Sequence, residues 1–216
     1  MEKDITFFIG SIGGGGAERV ICELASYMAT NNYHVKILTL TDTENKYPIS
    51  SKIEYYSLDK DIVQNKKIKK IIQKIFRLCV FIKKNYTDCY IVFLPETIIL
   101  VTLLRWMIKC PVIISERNDP TSYNKFVQLL MLNAAKRNEG IVFQTAFAQT
   151  FYEKKVRRLN GMVIPNAVKT EFLDPYMGKR DNRIVSVGRF NSQKNFPLLI
   201  KAFAIVSKKL RFGRGI

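Results

Sequence analysis

Four consecutive glycines, Gly13, Gly14, Gly15 and Gly16, separate an apolar run, Ile5 to Ile9, from a stretch at Ala17 to Ala29 whose apolar residues recur at helical spacing. Glycine permits positive backbone dihedrals and close approach of a ligand, and the free amides and dipole of a helix N-terminus favour a phosphate or carboxylate. The spacing gives neither G-x-G-x-x-G nor the Gly-Lys-Ser/Thr ending of a P-loop, so a nicotinamide cofactor rests on Asp42 as a ribose ligand. The plainer reading is a tight strand-to-helix turn. Glu116, Arg117 and Asn118 follow a second apolar run, Val112 to Ser115, and Gln144 and Thr145 follow a third, Ile141 to Phe143. Arg189 and Lys194 stand after a fourth, Ile184 to Val187. Side chains placed directly after a parallel strand face the crevice where such sheets bind ligands. For Asn118, with Asp119, a turn or helix cap is the competing reading. For Arg189 and Lys194 it is solvated surface charge.

The elements that would position these residues alternate. Strands are expected at Ile5–Ile9, Val35–Leu40, Ile53–Leu58 (an edge), Tyr90–Leu94, Val112–Ser115, Ile141–Phe143, Val163–Ile164 and Ile184–Val187. Helices are expected at Ala17–Ala29, Lys66–Lys84, Ile98–Met107, Tyr123–Ala135 and Pro197–Lys208. This order implies an α/β fold with a doubly wound parallel sheet covered on both faces. Thr170 to Asn182 is polar and broken by Pro175 and Gly178, which reads as a linker. The boundaries expected are therefore a domain over 1–168, a linker over 169–182 and an incomplete second unit over 183–216.

The composition is that of a globular protein, with 47% hydrophobic and 25% charged residues, which excludes a disordered or collagen-like chain. Charge is the outlier, at a formal +17, and directs the surface toward polyanions. The four cysteines are dispersed without a C-x-x-C pair, which implies reduced core thiols and no metal site. The N-terminus lacks a signal peptide's basic region and long apolar core, so a cytoplasmic setting is expected.

Gly-Gly-Ala-Glu-Arg-Val at Gly15–Val20, Ser-Glu-Arg-Asn-Asp-Pro at Ser115–Pro120, Pro-Asn-Ala-Val at Pro165–Val168, and Val-Gly-Arg with Gln-Lys-Asn across Val187–Asn195 occur in one order. In that ordered set the chain resembles the retaining glycosyltransferases of family 4, enzymes of the GT-B fold. The resemblance implies two Rossmann-like domains facing across a cleft, with an acceptor on the N-terminal one and a UDP- or GDP-linked sugar on the other, and no cofactor. It gives Arg189 and Lys194 the catalytic task of stabilising the departing diphosphate, a task that fixed cations perform without a metal. Glu116 would orient an acceptor hydroxyl, Arg117 would meet a phosphate, and Gly13–Gly16, Asn118, Gln144, Thr145 and Asn166 would line the substrate cleft. The acceptor would be lipid-linked or saccharide, in surface polysaccharide or glycan assembly. The resembled enzymes carry an E-x7-E pair beyond the region matched here, so this chain is expected to be truncated and inactive alone.

The stretch Lys66–Lys84 has one apolar face, Ile68, Ile71, Ile72, Ile75, Cys79 and Ile82, and a basic one. The plain expectation packs the apolar face on the core. The sharper one is a contact with an anionic membrane surface through Lys67, Lys70, Lys74, Arg77, Lys84 and Phe81, on the inner face of the cell membrane. Two rivals stand beside the transferase reading. One is an NAD(P)-dependent Rossmann enzyme. The other is a basic nucleic-acid-binding module, which the absence of any recognition motif ranks third, so no nucleic-acid partner is expected.

Overall fold

Phe7 and Phe8 are neighbours in sequence, both fully buried, and belong to two different hydrophobic cores. Successive strand side chains point to opposite faces, so a strand buried on both sides lies inside a sheet covered on both sides. A computed structural model, describing residues 3–60, 67–167, 177–179, 183–188, 190 and 194–209, supplies that arrangement. The order is β1 (Lys3–Ile9), α1 (Gly16–Thr30), β2 (Tyr33–Thr39), β3 (Glu54–Ser57), α2 (Lys67–Lys84), β4 (Cys89–Phe93) and α3 (Pro95–Leu103). Then come β5 (Val112–Glu116), α4 (Lys125–Arg137), β6 (Gly140–Phe143), α5 (Ala146–Glu153), β7 (Gly161–Val163) and α6 (Phe196–Lys209).

The seven strands form one parallel sheet in the order β3-β2-β1-β4-β5-β6-β7. Ile5, Phe7 and Ile9 face Ile21, Cys22, Ala25 and Ala29 of α1. Phe8 and Leu38 face the opposite core, which includes Leu78 and Phe81 of α2, Ile98 and Val101 of α3, and Met131 of α4. The doubly wound α/β architecture expected from the apolar runs is thus present.

The chain divides into two units, Met1–Ala167 and Val168–Ile216. The first contains the whole sheet. In the second, the expected strand Ile184–Val187 does not form: residues 183–188 have no strand conformation, and Ile184, Val185 and Val187 are exposed. A strand needs a neighbour for its backbone donors and acceptors, and the described residues of this unit offer none. Two smaller differences concern helices. The expected helix Ile98–Met107 starts earlier, with Pro95 in its first turn, and ends at Leu103 before a separate 3-10 turn, Arg105–Met107. The short α5 was not expected; Thr145 caps it, and Ala148 and Tyr152, four residues apart, bury one face.

Candidate functional site

Strand order reverses between β1 and β4, because the chain builds outward from β1 to β2 and β3 and then returns to the other side. A crevice opens at the carboxyl ends of strands flanking such a reversal. Here it is a cavity of about 350 Å³ lined by Gly10, Ser11, Glu18, Leu40, Thr41, Thr43, Leu94 and Glu96. Gly10 allows Glu96 to come close, since a Cβ there would lie 2.6 Å from Glu96 Oε1. Leu94, at φ 73°, turns the chain sharply into α3 and sets Glu96 in its first turn. Two carboxylates, Glu18 and Glu96, thus face one polar hollow, suited to accept hydrogen bonds from hydroxyl groups.

The glycine loop forms the adjoining wall. Gly14 has φ +116°, a conformation side chains rarely adopt, and a Cβ on it would sit 2.9 Å from Lys46 Cδ. Gly15 is the N-cap of α1 without a side-chain cap, while the Tyr47 hydroxyl donates to its carbonyl at 3.1 Å. Gly13 packs against Thr43, and Gly16 faces open space. Asp42, on which the nicotinamide reading rested, instead accepts from the Tyr55 hydroxyl at 3.3 Å and donates its backbone amide to Asp59 at 2.6 Å.

Arg117 lies across the ring of Phe93, with its guanidinium carbon 5.0 Å from the centroid, and donates to Asn166 Oδ1 at 2.8 Å. Phe93 ends β4, immediately before Leu94 of the cavity. Burial pulls the guanidinium below its ordinary pKa, and its Nε is buried without a hydrogen-bond partner. This stacked and braced cation thus keeps an unpaired donor, and a guanidinium of that kind has the chemistry to bind an oxyanion. Arg19, on α1, donates to the Ala167 carbonyl at 3.2 Å, so two guanidinium groups meet the segment 166–167.

Glu116 takes a different place from the one expected. It is 1% exposed, and its carboxylate accepts from the Tyr123 hydroxyl at 2.7 Å, the Tyr152 hydroxyl at 2.7 Å and the Asn118 amide at 3.1 Å. Burial, and then the Glu116 charge, push both tyrosine hydroxyls well above their ordinary pKa, so they remain donors. Glu116 therefore ties the end of β5 to Tyr123, ahead of α4, and to Tyr152 of α5, next to Arg117; buried and bonded in this way, it does not face an acceptor hydroxyl. Thr145 is likewise occupied, its hydroxyl accepting from the Ala148 amide at 3.2 Å. Asp119 caps the turn Pro120–Ser122, and Asn118 is exposed beside it. Gln144 is half-buried after β6. In the second unit Lys194 is exposed ahead of α6, and a Cβ on Gly188 would come within 3.3 Å of its Cγ. Arg189 lies outside the described residues.

The basic helix is turned over relative to expectation. Lys70 and Lys74 reach inward to Asp59 at 3.2 and 3.1 Å, and Arg77 donates to the carbonyls of Leu58 and Lys60. Phe81 is buried, edge-on to Tyr56 at 5.1 Å, so it cannot meet a membrane. Ile68, Ile71, Ile72 and Phe76 are instead exposed, by 57–73%. Leu78 and Phe81 enter the core on this inward face, and Asp59 favours it too: its side chain is only 6% exposed and burial alone would raise its pKa. Its bonds to Asp42, Lys74 and Lys70 hold its pKa below the ordinary value, and pairing it requires the cationic face. Lys84 is exposed at the far end of α2, while nothing is described of the Lys67 side chain.

Comparison with known proteins adds to this geometry. No family model matches the chain. Over 96% of its length it is 26% identical to GalNAc-alpha-(1->4)-GalNAc-alpha-(1->3)-diNAcBac-PP-undecaprenol alpha-1,4-N-acetyl-D-galactosaminyltransferase of Campylobacter jejuni, covering 58% of that protein. Over 97% it is 22% identical to the amylovoran biosynthesis glycosyltransferase AmsD of Erwinia amylovora, covering 60%. Sequence similarity points to glycosyltransferases. Among solved structures, Anabaena HepE in complex with UDP and glucose superposes with a TM-score of 0.61 at 13% identity, over 77% of this chain and 45% of that one. The Rossmann-like α/β fold of the chain is shared with that structure. The chain spans 58–60% of the length of the two curated relatives.

The sheet-edge residues Arg117, Asn118 and Gln144 could be anticipated because they follow apolar runs, and Asn166 through the Pro-Asn-Ala-Val segment. Glu18, Thr41, Thr43 and Glu96 could not, since their convergence depends on β4 lying beside β1. Thr41 and Pro95-Glu96, each directly after an expected strand, were the available signals.

Proposed function

We propose that this chain is part of a retaining, family 4-like GT-B glycosyltransferase that moves a sugar from a UDP- or GDP-linked donor to a lipid-linked or saccharide acceptor in surface polysaccharide or glycan assembly. Residues 1–168 form the acceptor side, 169–182 a linker, and 183–216 belong to the donor side, where Arg189 and Lys194 stabilise the leaving diphosphate. The observation that carries this reading is the crevice at the β1–β4 reversal, lined by Glu18 and Glu96, together with Arg117 braced on Phe93, the residue before Leu94 of that crevice. Carboxylates suit the hydroxyls of a sugar, and an arginine suits the phosphate that links a saccharide to lipid. Glu116 serves as a positioning residue.

Membrane contact on the inner face of the cell membrane is part of the proposal. It is supported by the exposed stripe Ile68, Ile72 and Phe76 on α2, which continues to exposed Lys83 and Lys84. An apolar stripe inserts at the acyl boundary, and each nearby cation adds about 1 kcal/mol on anionic lipid. No helix among the described residues is long and apolar enough to cross a bilayer.

The test is a titration of the chain with a polyprenyl-diphosphate-linked saccharide in detergent micelles, with NADH and a mixed-sequence RNA as rival ligands. Saturable binding of the lipid-linked saccharide, weakened at least tenfold by Arg117→Ala, supports the proposal. Saturable NADH binding without it overturns the proposal in favour of a nicotinamide enzyme.

A further inference from the structure

The exposed isoleucines of α2 do more than form a stripe. Ile71 and Ile75 also make one wall of a groove of about 380 Å³, whose other wall is Ile99, Leu100 and Leu103 of α3. At one end the groove reaches Leu40, Thr41 and Glu96, and these three residues also line the polar crevice at the β1–β4 reversal. The two hollows therefore adjoin across Leu40, Thr41 and Glu96: one carries carboxylates, the other is walled mainly by aliphatic side chains. Lys74 at their junction is already engaged, bonding to Asp59 at 3.1 Å and to the Thr41 hydroxyl at 3.1 Å.

We propose that this groove seats the first isoprenoid units of a lipid-linked acceptor whose saccharide occupies the crevice. The inference rests on the reading of a lipid-linked acceptor given above and adds the path of its tail. The groove's volume falls within the range of about 300–1,000 Å³ common to ligand sites. Away from Thr41, Lys74 and Glu96 its walls are aliphatic and offer few partners to the amides and carbonyls of a peptide, which need them when buried, whereas an isoprenoid chain has no such groups. The same α2 face presents Ile68, Ile72 and Phe76 outward, so a tail leaving the groove emerges where the helix would meet lipid. Head, tail and bilayer would thus follow one another from the crevice, across the shared residues Leu40, Thr41 and Glu96, to the exposed face of α2.

The experiment uses the full chain and a farnesyl diphosphate with a photoreactive diazirine on an isoprene unit. Crosslinking followed by peptide mapping is expected to label α2 at Ile71 or Ile75 and α3 at Ile99 or Leu103. The paired substitution Ile71→Ser and Leu103→Ser, at positions 57% and 59% exposed, is expected to weaken farnesyl diphosphate binding about tenfold. The thermal midpoint should stay unchanged, and Leu103→Met should retain binding. Label confined to Ile68, Ile72 and Phe76, or equal affinity in the paired variant, overturns the groove and leaves the lipid-linked acceptor standing. Failure of the unmodified chain to bind both this probe and a longer polyprenyl-diphosphate saccharide overturns the acceptor reading, and the groove with it.

Discussion

Replacing Glu116 by alanine should cost stability before it costs chemistry. The substitution removes a carboxylate that accepts two tyrosine hydroxyls at 2.7 Å and one backbone amide at 3.1 Å. Hydrogen bonds to a charged group contribute about 1.5–3 kcal/mol each, and a buried donor left unpaired costs about 1–3 kcal/mol. Tyr152 is 1% exposed and cannot turn to solvent, whereas the Asn118 amide lies beside exposed backbone. Weighting the two tyrosines most heavily gives a loss of about 3–5 kcal/mol. For a unit of this size that corresponds to a fall in Tm of roughly 10 °C. Urea denaturation followed by circular dichroism measures it directly. A double-mutant cycle with Tyr152→Phe should show coupling of about 1–2 kcal/mol, because the second change removes the donor that the first strands. A loss below about 1 kcal/mol, or strict additivity, would refute the positioning role and return Glu116 to the acceptor.

Other perturbations separate the remaining claims. Ile72→Asp with Phe76→Asp should abolish flotation with anionic liposomes while changing stability by less than about 1 kcal/mol, since both side chains are exposed; equal flotation would remove α2 from the membrane contact. Phe81→Ala should cost about 3–5 kcal/mol as a core truncation, and a neutral outcome by denaturation would contradict its burial. His34 sits between Asp4 at 2.5 Å and Glu54 at 2.7 Å, and the bond to Asp4 raises its pKa against the opposing effect of burial. A raised pKa means that its contribution is fully present below the ordinary histidine value and is lost as pH rises through the higher folded value. With His34 40% exposed, solvent screening limits this to about 0.5–1 kcal/mol. Tm should therefore decline modestly as pH rises above the ordinary histidine value and lose that slope in His34→Gln; identical pH profiles would count against the pairing.

Apart from α5, the order of strands and helices in the first unit was legible because buried parallel strands read as unbroken apolar runs, as at Ile5–Ile9 and Val112–Ser115. What resisted reading depended on distant partners. The amphipathic character of α2 is plain in its spacing, but spacing does not say which face turns inward. That choice belongs to distant partners: the core that receives Leu78 and Phe81, and Asp59, eleven residues before Lys70, through its ion pairs with Lys70 and Lys74. Glu116 follows a strand and so resembles a ligand-facing carboxylate, yet its fate is decided by Tyr152, thirty-six residues later. Thr145 similarly spends its hydroxyl on the first turn of α5. The crevice carboxylate Glu96 became visible only with the strand order, because the reversal beside β1 is a property of the sheet and not of any local segment.

The central claim is that the first unit is the acceptor side of a sugar transferase. It is tested most directly by joining this chain to the remaining C-terminal region of the Campylobacter jejuni relative and measuring transfer from UDP- and GDP-sugars to a polyprenyl-diphosphate-linked saccharide. A chimera that folds and binds nucleotide should transfer sugar, and Arg117→Ala, Arg189→Ala and Lys194→Ala should each depress the rate at least a hundredfold, about 2.7 kcal/mol of transition-state stabilisation. A folded, nucleotide-binding chimera that makes no product with any donor, or whose rate is indifferent to all three substitutions, would contradict it.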